Sequence, residues 1–225
     1  MSDEVVRVSG ATRVYNEDTI PVQALAGVDL RVNRGDFVSL AGPSGSGKST
    51  LLNVIGGLDR VDSGEVTVDQ VSLTGLSESE LSDLRLAKIG FVFQAYNLLS
   101  VLTAEENVAF ILQLQGVSKS VRAERARETL AAVGLADLRD RLPGDMSGGQ
   151  QQRVAIARAI AADPVLLLAD EPSANLDSQT TTGLLELLRH LNEDEGMTIV
   201  TATHDPMVMA YAKRQVHLRD GAIVV

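Results

Sequence analysis

The sequence predicts an α/β fold with a mostly helical insertion near 95–160, and three observations carry that expectation. Short apolar runs alternate with helix-like stretches in both the first and last thirds of the chain. One such run leads straight into a Gly- and Ser-rich loop followed by a helix-like stretch. Of two capping boxes, the second opens a long middle stretch that is essentially all helix in pattern. The 225 residues equal about one and a half average domains. That fits one domain, 1–225, bearing a lobe.

The elements follow in order. Val28, Leu30 and Val32 alternate with Asp29, Arg31 and Asn33, the pattern of a half-exposed strand. Asn33-Arg34-Gly35-Asp36 reads as a turn. Phe37 to Ala41 is a short buried strand, and a helix is expected over Leu51 to Leu58. Ser77-x-x-Glu80 and Thr103-x-x-Glu106 place helices at 78–88 and 104–115, because their side chains satisfy free N–H groups at a helix start. A further helix spans Lys119 to Val133, with Gly134 as a left-handed cap. From the second capping box to about 161 the pattern is essentially all helix. Ile89 to Phe93, Val165 to Ala169 and Thr198 to Thr203 read as strands, and Ser178 to Glu193 as a helix. Asp220-Gly221 between apolar residues signals a hairpin.

Composition excludes several classes. A chain of this size buries roughly 70% of its unfolded surface, enough for a core without staples. There is no cysteine, so disulfide scaffolds and Cys-based zinc sites are excluded, and with three His a multi-His metal site is not expected. The net charge of −10 and an isoelectric point near 4.8 argue against a nucleic-acid partner. At 3% aromatics, base-stacking platforms are not expected either. No apolar run approaches the roughly 20 residues of a membrane helix. The start, Met-Ser-Asp-Glu-Val, has neither a basic nor an apolar export region. The expectation is a soluble, cytoplasmic, acidic protein.

Gly42-x-x-x-x-Gly47-Lys48-Ser49 is a phosphate-binding loop with its required strand before and helix after. Gly42, Ser44, Gly45, Ser46 and Gly47 let backbone N–H groups close on a polyphosphate, and the helix N-terminus at Lys48, Ser49 and Thr50 adds about half a positive charge. Lys48 reaches the β and γ phosphates, and the Ser49 hydroxyl is placed to ligate Mg²⁺. The overall negative charge does not oppose this, because charges beyond roughly 8 Å are largely screened while these groups act at about 3 Å.

Val165 to Ala169 ends in Asp170 and Glu171. Successive strand residues face opposite sides, so the two acids need not share a job. Alone they are a solvated strand end. Beside a phosphate loop, Asp170 fits a Mg²⁺ holder and Glu171 the base that polarises water against the γ phosphate.

Ser147-Gly148-Gly149-Gln150, followed by Gln151-Gln152-Arg153-Val154-Ala155-Ile156-Ala157-Arg158-Ala159, opens a second helix with an anion-binding start. One phosphate loop needs no second one. Two make sense if they meet one nucleotide from different subunits. With these motifs the chain resembles the ATP-binding subunit of ABC transporters, whose signature is usually Leu-Ser-Gly-Gly-Gln; Met146 stands here at the first position.

The resemblance covers about 5–225 and implies a P-loop NTPase core with an antiparallel β subdomain and an inserted α-helical subdomain. It implies further roles residue by residue. Tyr15 sits where the family stacks an aromatic on adenine, though alone it reads as a surface or core aromatic. Gln94 matches the loop glutamine that contacts Mg²⁺ and couples to the membrane subunit. Ser173-Ala174-Asn175-Leu176-Asp177 matches the loop crossing the dimer interface, with Asp177 its acid. His204 matches the histidine that contacts the γ phosphate; before Asp205-Pro206 it also fits a helix cap.

Within the family, the strings Asn53 to Asp59, Gly90 to Leu99 and Leu168 to Pro172 look closest to the lipoprotein-releasing and macrolide-exporting class, with Ser173-Ala174 standing where that class has Thr-Gly. The resemblance implies an ATPase that dimerises on ATP, as a homodimer or with a second ATPase subunit. It would drive a separate integral membrane permease from the inner face of the plasma membrane. The work would be export or mechanotransmission, with lipoprotein, peptide, lipid or drug as cargo. A cell-division regulator of FtsE type, or a soluble ABC ATPase, is the alternative. The stretch between Lys48 and Ser147 lacks the sustained heptads of the chromosome-structure class. The chain ends soon after His204, leaving no room for the regulatory domain of some sugar importers. A small-molecule kinase would need neither the second glycine motif nor His204.

Overall fold

The computed structural model describes residues 3–16 and 20–224. Met1, Ser2 and Val225, part of the termini read above, lie outside the described residues. The chain begins with two long antiparallel strands, β1 (Glu4–Tyr15) and β2 (Val22–Asn33). Then follow β3 (Phe37–Ala41), α1 (Lys48–Ile55), β4 (Ser63–Val68) and β5 (Val71–Ser72). The middle comprises α2 (Glu78–Lys88), β6 (Ile89–Val92), α3 (Ala104–Leu114), α4 (Lys119–Ala132) and α5 (Gly148–Ile160). The last part is β7 (Leu166–Asp170), α6 (Ser178–Glu193), β8 (Ile199–Thr203), α7 (Pro206–Tyr211) and the hairpin β9 (Arg214–Arg219) with β10 (Ala222–Val224).

Two sheets result. One is antiparallel, in the order β2-β1-β4-β5; the other runs β10-β9-β3-β8-β7-β6 and is parallel except for β10. Alternation along the parallel strands fills two cores. Val38, Leu40, Leu166, Leu168, Val200 and Ala202 face the antiparallel sheet and α1. Phe37, Leu167, Ala169 and Ile199 face the opposite way, against α3 to α6. The strands β3, β6, β7 and β8 all end on one side, and in open parallel sheets that is where ligands bind.

The structure departs from expectation at three places. The first helix spans Lys48–Ile55 and not Leu51 to Leu58, because Gly47 at φ +101° turns the loop directly into it and Gly57 at φ +63° turns the chain out of it. The stretch 133–147 is not helix: it holds two short 3₁₀ turns, Ala136–Leu138 and Pro143–Asp145, around Pro143. The strand expected over Val165 to Ala169 is shifted to Leu166–Asp170 and ends there, so alternation does not govern Glu171. Glu171 instead takes a left-handed φ of +46°.

Candidate active site

The strand β3 delivers the loop from Gly42 to Gly47. Both glycines are required by close approach. A side chain on Gly42 would lie 2.3 Å from the Leu218 carbonyl oxygen, and one on Gly47 would lie 2.3 Å from that of Ala24. Lys48 is 7% exposed, and its Nζ donates to the carbonyls of Gly42 (2.9 Å) and Pro43 (3.0 Å). The ammonium is thus held across the loop's own mouth. The Ser46 hydroxyl is buried and has no hydrogen-bond partner.

The other strand ends bring the acids. Ser49 Oγ donates to Asp170 Oδ1 at 3.0 Å. Burial pushes the Asp170 carboxyl above the usual range; Ser49 and Lys48 oppose this, and Glu171 reinforces it. The Glu171 carboxylate is gripped from two sides, by His204 Nδ1 at 2.7 Å and by Thr203 Oγ1 donating at 3.2 Å. Left-handed backbone at a non-glycine costs about 1–3 kcal/mol, a strain that concentrates at functional sites. Here the strain turns the carboxylate out of the sheet toward His204.

Most of the predicted nucleotide-site residues share one cavity of about 630 Å³, while Gly42, Ser46 and Asp170 are not among those that line it. Tyr15, Ser44, Gly45, Gly47, Lys48, Ser49, Thr50, Gln94, Glu171 and His204 line it, with Val22 and Ala24 added from β2. The second glycine motif is not there. Ser147 caps α5, accepting from the Gln150 amide (3.3 Å) while its own N–H donates to Gln150 Oε1 (2.9 Å). Ser147, Gly148, Gly149 and Gln150 are absent from the cavity wall, and Met146 is buried in the second core. Asp177 is also outside the cavity. It caps α6, accepting from the Gln179 and Thr180 amides and from the Thr180 hydroxyl (2.7 Å). The Thr180 hydroxyl and amide hold its carboxyl below the usual range.

Sequence reasoning missed several residues. Thr203 gave no signal because a buried threonine in a strand is ordinary. Arg158 donates to the carbonyls of Tyr96 and Asn97, two consecutive left-handed residues just after Gln94. Burial lowers its guanidinium below the ordinary value. Asn175 Nδ2 donates to the Gln94 carbonyl at 3.0 Å, tying the loop before Asp177 to the loop after β6. Two positive-φ residues beside an arginine on a neighbouring helix cannot be read from spacing.

A protein-family model described as ABC transporter matches residues 25–174. An ABC transporter ATP-binding protein of Methanocaldococcus jannaschii is 43% identical, covering 97% of this chain and 95% of its own. The lipoprotein-releasing system ATP-binding protein LolD of Bordetella pertussis is 44% identical over 94% of this chain and 91% of its own. The macrolide export ATP-binding/permease protein MacB of Syntrophobacter fumaroxidans is 46% identical over 98% of this chain, which spans 31% of it. A dimeric solved structure of the archaeal protein, in a post-hydrolysis state with ADP and Pi, superposes with a TM-score of 0.90, at 98% coverage of this chain and 97% of that one. The chain belongs to the ABC transporter family, as an ATP-binding subunit that hydrolyses ATP and shares the family's α/β cassette fold.

Proposed function

We propose that two copies, or one copy and a second ATPase subunit, close head to tail on two ATP molecules and so drive a separate membrane permease. One observation carries this reading. The chain has two anion-binding helix starts, at Lys48 and at Ser147, and only the first belongs to the cavity. The second needs a nucleotide held by another copy. In that arrangement Ser147, Gly148, Gly149 and Gln150 meet the partner's ATP, and Asp177 and Asn175 lie along the join. The dimeric archaeal relative supports it.

Within one half-site, Tyr15 takes the base, while the loop from Gly42 to Gly47, Lys48 and Thr50 take the phosphates. Glu171 accepts the proton of the attacking water, and His204 fixes its carboxylate and faces the γ phosphate. Magnesium fits the donors present, since the Ser49 hydroxyl, Asp170 and the Gln94 side chain all offer hard oxygen ligands. When bound, it would neutralise charge building on the phosphates.

The lobe near 95–160 then turns as one body with the signature helix α5. An apolar groove of about 310 Å³ between β6, α3 and α5, lined by Leu58, Phe91, Phe93, Ile111 and Leu114, suits the permease contact. Exposed Leu58 (47%) and Leu114 (55%) need such a cover. The chain would work on the cytoplasmic face of the membrane, held there by the permease partner; no described helix is long and apolar enough to cross it. Similarity to LolD and MacB favours export or mechanotransmission.

The test is Glu171→Gln. It should nearly abolish turnover, retain bound ATP, and give an ATP-dependent dimer on size exclusion. A monomer with undiminished hydrolysis would sink the model.

A further inference from the structure

The Tyr15 ring is held in place by a network that no sequence motif marked. Tyr15 lines the cavity; Arg13, two residues earlier on the same face of β1, does not. The Arg13 guanidinium lies over the ring, 4.8 Å from its centroid. Its Nη2 and Nε grip the Asp59 carboxylate at 2.9 and 3.2 Å, and its Nη1 reaches Asp62 at 2.7 Å. The Tyr15 hydroxyl donates to the same Asp59, at 2.5 Å. Asp62 also accepts the Val14 amide at 2.6 Å. Burial would raise the Asp62 carboxyl, but the Val14 amide and Arg13 hold it below the usual range.

The placement of Asp59 gives the network a further reach. Leu58 and Asp59 turn back onto the Asn53 carbonyl, so Asp59 is fixed to the end of α1. The first turn of α1 carries Lys48 and Ser49. One short helix therefore connects the phosphate end of the cavity to the acid that fixes its aromatic end.

We propose that Arg13 and Asp59 are positioning residues for the nucleotide base, holding the Tyr15 ring so that its cavity-facing side receives the base while α1 holds the phosphates. This rests on the ATP-site reading above. A cation behind the ring draws electron density from its other face, which favours stacking by an electron-rich purine. A ring fixed before binding also spares the entropy of ordering it afterwards. Exposed ion pairs contribute little to stability unless bidentate or networked. These side chains are only 21–30% exposed, and the pair is both. The network thus supplies geometry, and its loss appears first in affinity.

Isothermal titration with ATP and with inorganic tripolyphosphate, which has no base, separates the two ends of the site. Arg13→Gln should weaken ATP about three- to tenfold, the range of one cation–π contact. Tripolyphosphate binding should stay within about twofold, and Arg13→Lys should restore part of the loss. In turnover assays KM should rise with kcat held. Tyr15→Phe, which keeps the ring and Arg13 but severs Asp59, should show the same selectivity for ATP at smaller size, and it serves if Arg13→Gln does not fold. Unchanged ATP affinity in folded Arg13→Gln, or in Tyr15→Phe when Arg13→Gln does not fold, overturns the proposal. Equal weakening of both ligands overturns it too. A wild-type chain that binds neither ligand overturns the ATP-site reading itself.

Discussion

Gly149 is expected to be glycine for packing within one chain as well as for contact with a partner's nucleotide. It occupies the second position of α5. A side-chain carbon there would stand 2.2 Å from Thr180 Cγ2, with Thr180 Cβ and Oγ1 at 3.5 and 3.7 Å. The methyl cannot swing away freely, because Thr180 Oγ1 is bonded to Asp177 Oδ2 at 2.7 Å. Forcing in one methyl of this kind costs about 1–3 kcal/mol. Thr180→Ser removes the offending carbon and keeps the hydroxyl. The remaining contacts are then ordinary, and alanine gains up to about 1 kcal/mol over glycine from helix propensity. Gly149→Ala should therefore be about 1–3 kcal/mol less favourable in the wild type than in the Thr180→Ser background, where it should be neutral or slightly stabilising. Urea unfolding of the four proteins without nucleotide closes the cycle. An equal cost in both backgrounds refutes the packing account. The double variant should also recover stability without recovering ATP-dependent dimerisation.

Two further outcomes follow. Asp170→Asn should stabilise the nucleotide-free chain while lowering turnover. The folded carboxyl is raised, so below the unfolded value both states keep the proton and nothing is lost, and stability falls as pH rises from the unfolded value through the folded one. The gain in Tm should thus be least in acid and grow with pH until the folded carboxyl is ionised; a gain independent of pH contradicts this. Arg158→Ala strips a charged donor from two carbonyls, at a cost of roughly 2 kcal/mol. Amide exchange should quicken over 94–98 and stay unchanged in α1; protection lost equally in both would show general unfolding instead.

The helices were legible where side chains write their own boundaries. Ser77 and Thr103 form both halves of a capping box, and α6 begins at Ser178 as expected. Phe37–Ala41 was legible because a buried parallel strand is a short, mostly apolar run, broken here only by the buried Ser39. Of the antiparallel sheet only the alternation over 28–33, inside β2, was legible. β1 changes register with β2 at four places, which destroys the two-residue period on which strand reading depends. β4 and β5 are short and begin in exposed residues. In the site, the phosphate loop was readable because its chemistry is contiguous. The Thr203 contact with Glu171, the Asn175 contact with Gln94 and the Arg13–Asp59 pair join residues 32, 81 and 46 apart. Only the folded chain puts them side by side.

The helix α5 has one consequence beyond packing. Ser147 stands at its start and Arg158 grips the loop after Gln94 from eleven residues further on, about 16 Å along the axis. A tilt of about 10° about one end carries the other roughly 3 Å by that length. Hydrogen-bonded at every turn, the helix would act as a crankshaft in the dimer proposed above. A small rotation imposed at the Ser147 end would reappear at Arg158, which borders the apolar groove, without any bond in between having to break.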